Sequence, residues 1–194
     1  MKPALVVVDM IKDNVYSEKH LKVAGEAREI VPSLKRFIDF AHAECIPVIY
    51  ANDSFLKGDF IFKGKMKEHA LRGTEGVQVI DELKLEADDY VIEKLRFSAF
   101  HRTDLDQMLR IMGVDTVLVA GITLQWCVLL TAADAVANDF HTVILEDLTA
   151  CHKKDVKNRV VELYRNSPLA PLFRIMPSEA FIEEYNQLRG ASPR

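Results

Sequence analysis

The chain of 194 residues is 49% hydrophobic and 28% charged, the size and make-up of one globular domain with a sizeable core. A net charge of -4, with basic residues scattered among acidic ones, argues against a nucleic-acid partner. The opening MKPALVVVDM holds an apolar run too short for a bilayer and no small-residue cleavage site, so no membrane partner and a cytoplasmic location are expected. A single domain over 1–189 is expected, with the tail GASPR, 190–194, frayed.

The first element is ALVVVD (4–9), a β-branched run, followed by an amphipathic helix over 26–44 with Pro32 in its first turn. A second strand, IPVIYAN (46–52), leads into residues 53–88, rich in Gly and Lys, read as a long excursion with one short helix at most. Excursions of that length inside a compact domain are usually functional, and this one is the natural lid. The alternation then resumes with strand 89–94, helix 103–112 stopped at Gly113, strand 115–121, helix 126–138, strand 141–147 and helix 153–166. FRIMP (173–177) is a weaker sixth strand, and Ser178 with Glu179 starts a last helix, 178–188. Nearly continuous apolarity in the strands implies burial on both faces. The pattern is therefore α/β with a parallel sheet between helices.

In such sheets, ligands gather at the carboxyl ends of the strands, near the point where strand order reverses. Those ends carry Asp9, Asn52, Asp53, Lys94, residues 121–127, Glu146 and Asp147. Among them are a carboxylate, an ammonium and a thiol. Cys127 falls in the first turn of an apolar helix near Lys94, an environment expected to lower its pKa, and Asp9 could accept the thiol proton. A lone buried cysteine is by default structural, and that reading is kept for Cys45 and Cys151. The three cysteines show no CxxC pair, and the six histidines, at 20, 42, 69, 101, 141 and 152, show no HxH or HxxxH spacing, so most are expected to be solvated. There is no GxGxxG after a strand and no GxxxxGK[ST], so the phosphate cradles of dinucleotide and P-loop sites are missing.

VVVDM (6–10), EKLRFSAF (93–100) and GITLQWCVLLTAADA (121–135) resemble, in order and spacing, three signature segments of the isochorismatase-like cysteine hydrolases, which include nicotinamidases and N-carbamoylsarcosine amidohydrolases. The resemblance implies a three-layer α/β/α fold whose six-stranded parallel sheet has the order 3-2-1-4-5-6. It also implies a catalytic triad of Asp9, Lys94 and Cys127. A non-proline cis peptide is implied between Ile122 and Thr123, with the N–H groups of Thr123 and Cys127 facing a developing oxyanion. A homo-oligomer, dimer or tetramer, is expected. Asn14, Phe100 and Trp126 are candidate pocket residues, Phe100 weighed equally as loop packing and Trp126 against a core role.

Two departures touch the presumed substrate mouth: Ile11 stands where the family commonly has glutamine, and Asn14 where it commonly has an aromatic residue. A third concerns metal. Nicotinamidases hold zinc through an aspartate and a histidine of a DxH pattern and a histidine in a later HxxxG segment. Here the later segment survives as HALRG, with His69, but the earlier reads NDSF, so Asp53 is followed by Phe55 in the histidine's place. Asn52 would add only a weak neutral oxygen. Two ligands fall short of the three usual for a catalytic zinc, so no metal and no cofactor are expected, His69 is read as an ordinary loop histidine or a partner of Asp53, and nicotinamide is an unexpected substrate. The expected activity is hydrolysis of a small amide or N-carbamoyl C–N bond through a thioester-like intermediate. The alternatives are vinyl-ether hydrolysis centred on Asp9, and a catalytically silent small-molecule-binding module of the same fold.

Overall fold

The computed structural model describes residues 1–17 and 22–191. Six strands, β1 (Pro3–Val8), β2 (Val48–Asp53), β3 (Tyr90–Lys94), β4 (Thr116–Ile122), β5 (His141–Ala150) and β6 (Phe173–Met176), form one sheet in the order β3-β2-β1-β4-β5-β6. Every pair is parallel. Successive side chains of β1 point to opposite faces, and both faces are covered. Leu5 and Val7 pack with Ala27, Leu34 and Phe37 of α2 (Ala24–Ala43) and Phe181 of α6 (Ser178–Ala191). Ala4, Val6 and Val8 pack with Leu105 and Leu109 of α3 (Leu105–Ile111), Ala132 of α4 (Leu129–Ala137) and Val161 of α5 (Lys154–Arg165). The three-layer α/β/α order expected from the resemblance is the order present.

Several boundaries differ from the sequence reading, each for a local reason. The buried stripe of α2 already includes Ala24 and Ala27, so the helix begins two residues before the expected start and Pro32 lies inside it. Pro32 sits on the exposed side, where the carbonyl deprived of its usual donor can turn to water. β5 runs three residues past its expected end because its pairing with β4 shifts register, Val119 facing Ile144 but Gly121 facing Thr149. α6 continues to Ala191, two residues into the expected frayed tail; residues 192–194 of that tail, and His20, lie outside the described residues.

A short helix, α1 (Lys12–Val15), follows β1. Residues 53–88 hold three single 3-10 turns, Phe60–Lys63, Glu75–Val77 and Asp81–Leu83, in place of one short helix. They are tied down by backbone bonds, Phe55 N–H to the Ala70 carbonyl and Arg72 N–H to the Phe55 carbonyl, and by a small satellite core of Ile11, Phe55 and Ala70. Among the described residues no helix is long and apolar enough to cross a membrane.

Candidate active site

Four adjacent strand ends deliver the chemistry. Asp53 closes β2 and is in register with Lys94, which closes β3. Asp9 follows β1, its N–H bonded to the Ala51 carbonyl, and its left-handed φ of 56° turns the chain off the strand. Aspartate tolerates that conformation better than most residues. Cys127 comes from β4, within a π-turn (Leu124–Val128) that opens α4. The strand order reverses between β1 and β4, so Asp9 and Cys127 flank the switch point. β1 and β4 approach closely there: a Cβ on Gly121, whose φ is +101°, would meet the Val8 carbonyl oxygen at 2.1 Å. Only glycine permits that approach.

The side chains form one hydrogen-bonded cluster. Lys94 is fully buried, and its Nζ donates to Asp9 Oδ2 at 2.9 Å and to Asp53 Oδ1. Asp9 Oδ1 accepts the Asp53 N–H at 2.7 Å. The Cys127 sulfur and carboxylate oxygens of Asp9 and Asp53 lie within 4.8 Å of one another. Burial opposes the charge on Lys94, but Asp53 and Asp9 outweigh it and hold the ammonium protonated. Burial and the neighbouring Asp9 charge push Asp53 up to about 7, against the opposing pull of Lys94.

The lowered pKa expected for Cys127 is corrected by this arrangement. Burial raises it well above the ordinary thiol value, and the Asp9 charge raises it further. Lys94 pulls the other way, but it is shared with two carboxylates. The resting group is a thiol beside a carboxylate base.

The cluster opens on a cavity of about 360 Å³, lined by Asp9, Asn14, Asp53, Thr123 and Cys127 among others. The Ile122–Thr123 peptide at its floor is cis. Asn14 is buried and donates from Nδ2 to the Asp9 carbonyl oxygen at 3.1 Å. Trp126 lines the mouth, half exposed, tilted against Phe97 with ring centres 5.5 Å apart. Phe100 does not line the cavity; its ring lies 6.1 Å from that of Phe140 in the core, so the loop-packing reading holds and the pocket reading is corrected. In the same loop, the Ala99 N–H donates to Thr131 Oγ1. Sequence reasoning did not foresee Phe97 and Gln125 in the lining, although both sit inside the signature segments. It carried Asp53 as a strand end and a metal candidate, not as a partner of Lys94.

His69 is also in the lining, 3% exposed, which overturns the expectation of solvation. Its Nδ1 donates to the Lys67 carbonyl at 2.8 Å, and the rings of Phe55 and Phe62 stand 5.6 and 5.8 Å from its own. The residues present do not fit a zinc site: Asp53 Oδ1 is taken by an ammonium, Phe55 offers no ligand atom, and His69 is packed between two aromatic rings. Of the set Asp9, Asp53 and Cys127, both carboxylates already hold the Lys94 cation.

A parallel α/β sheet with an acid, an ammonium and a thiol at its switch point defines a hydrolase-type site. The chain belongs to the isochorismatase family: residues 3–169 match the Isochorismatase domain model. A probable inactive nicotinamidase of Arabidopsis thaliana is 32% identical over 163 residues, 79% of this chain and 83% of its own. A ureidoacrylate amidohydrolase of Acinetobacter baylyi is 31% identical over 191 residues, 84% of this chain and 74% of its own. The crystal structure of N-carbamoylsarcosine amidase from Thermoplasma acidophilum superposes with a TM-score of 0.78 at 33% identity, covering 92% of this chain and 98% of that one.

Proposed function

We propose that the protein is a cysteine hydrolase that cleaves a C–N bond of a small amide or N-carbamoyl compound, with Asp9, Lys94 and Cys127 as its triad. The observation that carries this reading is the buried Cys127 sulfur within 4.8 Å of a carboxylate oxygen of Asp9, the two lining one cavity, with Asp9 itself held by the buried Lys94 ammonium. Because the resting thiol is protonated, attack is coupled to proton transfer: sulfur bonds to the carbonyl carbon as Asp9 takes the thiol proton. Lys94 keeps Asp9 in place and offsets the charge that builds in the buried cluster. The N–H groups of Thr123 and Cys127 stabilise the oxyanion. On collapse the C–N bond breaks, Asp9 passes its proton to the departing nitrogen, and a thioester or thiocarbamate remains. Water then attacks that carbon, giving a proton to Asp9, which returns it to sulfur.

The relatives named as amidohydrolase and amidase support this reading. The relative named as probably inactive keeps a silent binding module as the rival. The test is release of ammonia or amine from a panel of carboxamides and N-carbamoyl amines, with Cys127→Ala as control. Turnover by the wild type is expected to fall by several orders of magnitude in Cys127→Ala. Retained turnover in that variant would remove the thiol from the chemistry, and no turnover on any panel member would favour the silent module or a vinyl-ether route on Asp9.

A further inference from the structure

Asp9 and Asp53 share Lys94 but are not equally engaged. Both oxygens of Asp9 are taken: Oδ1 accepts the Asp53 N–H at 2.7 Å, and Oδ2 accepts Lys94 Nζ at 2.9 Å. Asp53 gives Oδ1 to Lys94, and its Oδ2 bonds to none of the described residues. That oxygen is nevertheless not one of the buried side-chain oxygens left without a partner, so it keeps accessible surface. The Asp53 side chain is 9% exposed and lines the cavity, where that surface lies. A carboxylate oxygen of Asp53 is within 4.8 Å of both the Cys127 sulfur and a carboxylate oxygen of Asp9. A water bonded to Asp53 in the cavity therefore stands beside the atom that carries the acyl group and beside the base.

We infer that Asp53 is a further catalytic residue, its Oδ2 holding the water that hydrolyses the acyl group on Cys127. The inference rests on the cysteine-hydrolase reading of this cavity and adds to it the placement of the second substrate, water. Asp53 accepts one O–H of that water, and this hydrogen stays on the new hydroxyl of the product. The other O–H gives its proton to Asp9 as the oxygen bonds to the acyl carbon. The C–S bond then breaks, its electron pair goes to sulfur, and Asp9 returns the proton there. Holding the water in line with the carbon spares it the loss of freedom that an encounter from solution would cost. Lys94 can only donate, so it takes one Asp53 oxygen and leaves the other as an acceptor for the cavity.

The test uses the full chain and p-nitrophenyl acetate, whose nitrophenol reports acylation and whose acetyl group reports deacylation by intact mass. In Asp53→Asn, Lys94 captures the amide oxygen, and an NH2 donor replaces the acceptor that held the water. Single-turnover acylation is expected within about threefold of wild type, while deacylation slows by about a hundredfold or more. The acetyl group should accumulate on Cys127, and hydroxylamine, which attacks thioesters unaided, should release it. Asp53→Glu keeps the charge beside Lys94 but moves the oxygens by one methylene, and the same selective loss is expected there. Either variant, if folded, can overturn the inference: unchanged deacylation would remove Asp53 from that step, and equal loss of both steps without acetyl-enzyme would reduce it to a support for Lys94. Nitrophenol release by the wild type no faster than by Cys127→Ala would instead sink the hydrolase reading itself.

Discussion

The two walls of the cavity are built in opposite ways. On one side, Asp53, Asp9 and Cys127, joined by the buried Lys94, come at or just after the ends of neighbouring strands, whose ladder sets where each chain leaves the sheet. On the other, Phe55, Ile61 and His69 sit on single turns and a satellite core, joined to the sheet by a few backbone bonds. The first wall is rigid and charged, and its members are useful only at fixed distances. The second is apolar and adaptable, and its replacement would change what fits without disturbing the chemistry. Groups that must meet within a hydrogen bond are placed by strand register, and selectivity is left to loops.

Four substitutions would break or sharpen that contrast. The largest effect is expected at Gly121→Ala, where the new methyl would collide with the Val8 carbonyl and the φ of +101° disfavours any side chain. A loss of about 4 kcal/mol or more, or no soluble protein, is expected from urea unfolding, because the clash is with backbone on both strands. Near-wild-type stability there would mean that β1 and β4 can separate at the site. Next, Lys94→Met leaves Asp9 and Asp53 buried without their cation, at an expected cost of about 3 to 5 kcal/mol, and abolishes turnover. An unfolding midpoint unchanged from wild type would show the carboxylates are not held as charges.

On the adaptable wall, Phe55→Ala removes the centre of the Phe55–Phe62–His69 contacts, with an expected cost of about 3 kcal/mol felt locally. Amide exchange should accelerate at Phe55 and Arg72, whose N–H groups hold the loop, while β1 and β4 amides keep their protection. Equal acceleration in the sheet would erase the distinction between the walls. The smallest effect is in pH dependence. Asp53 binds its proton more tightly in the folded protein, with its pKa raised from 3.8 to about 7. The stability it contributes is therefore full below its unfolded pKa and is lost as pH rises through about 7. Asp53→Asn should flatten the stability profile between about pH 4 and 7. A profile that keeps its slope would assign that titration to another group.

Much of this protein was determined by its sequence alone. The central strands β1, β2 and β4, buried on both faces, read as nearly uninterrupted apolar runs, the edge strands β3 and β6 were shorter and more polar but still locatable, and the strand ends pointed to Asp9, Lys94 and the segment around Cys127. Three ordered signature segments sufficed for the family. Tertiary structure decided the rest, because each remaining question depends on atoms distant in the chain. The direction of the Cys127 shift follows first from its burial and then from the carboxylates beside it, and Asp53 joins Asp9 there only through the pairing of β1, β2 and β3. Phe100 turns to the core because Phe140 waits there, and His69 is buried because Phe55 and Phe62 close around it. The three turns within 53–88 carry no long hydrophobic period, and no local pattern could reveal them. They are held by long-range contacts, whose energy no window of sequence contains.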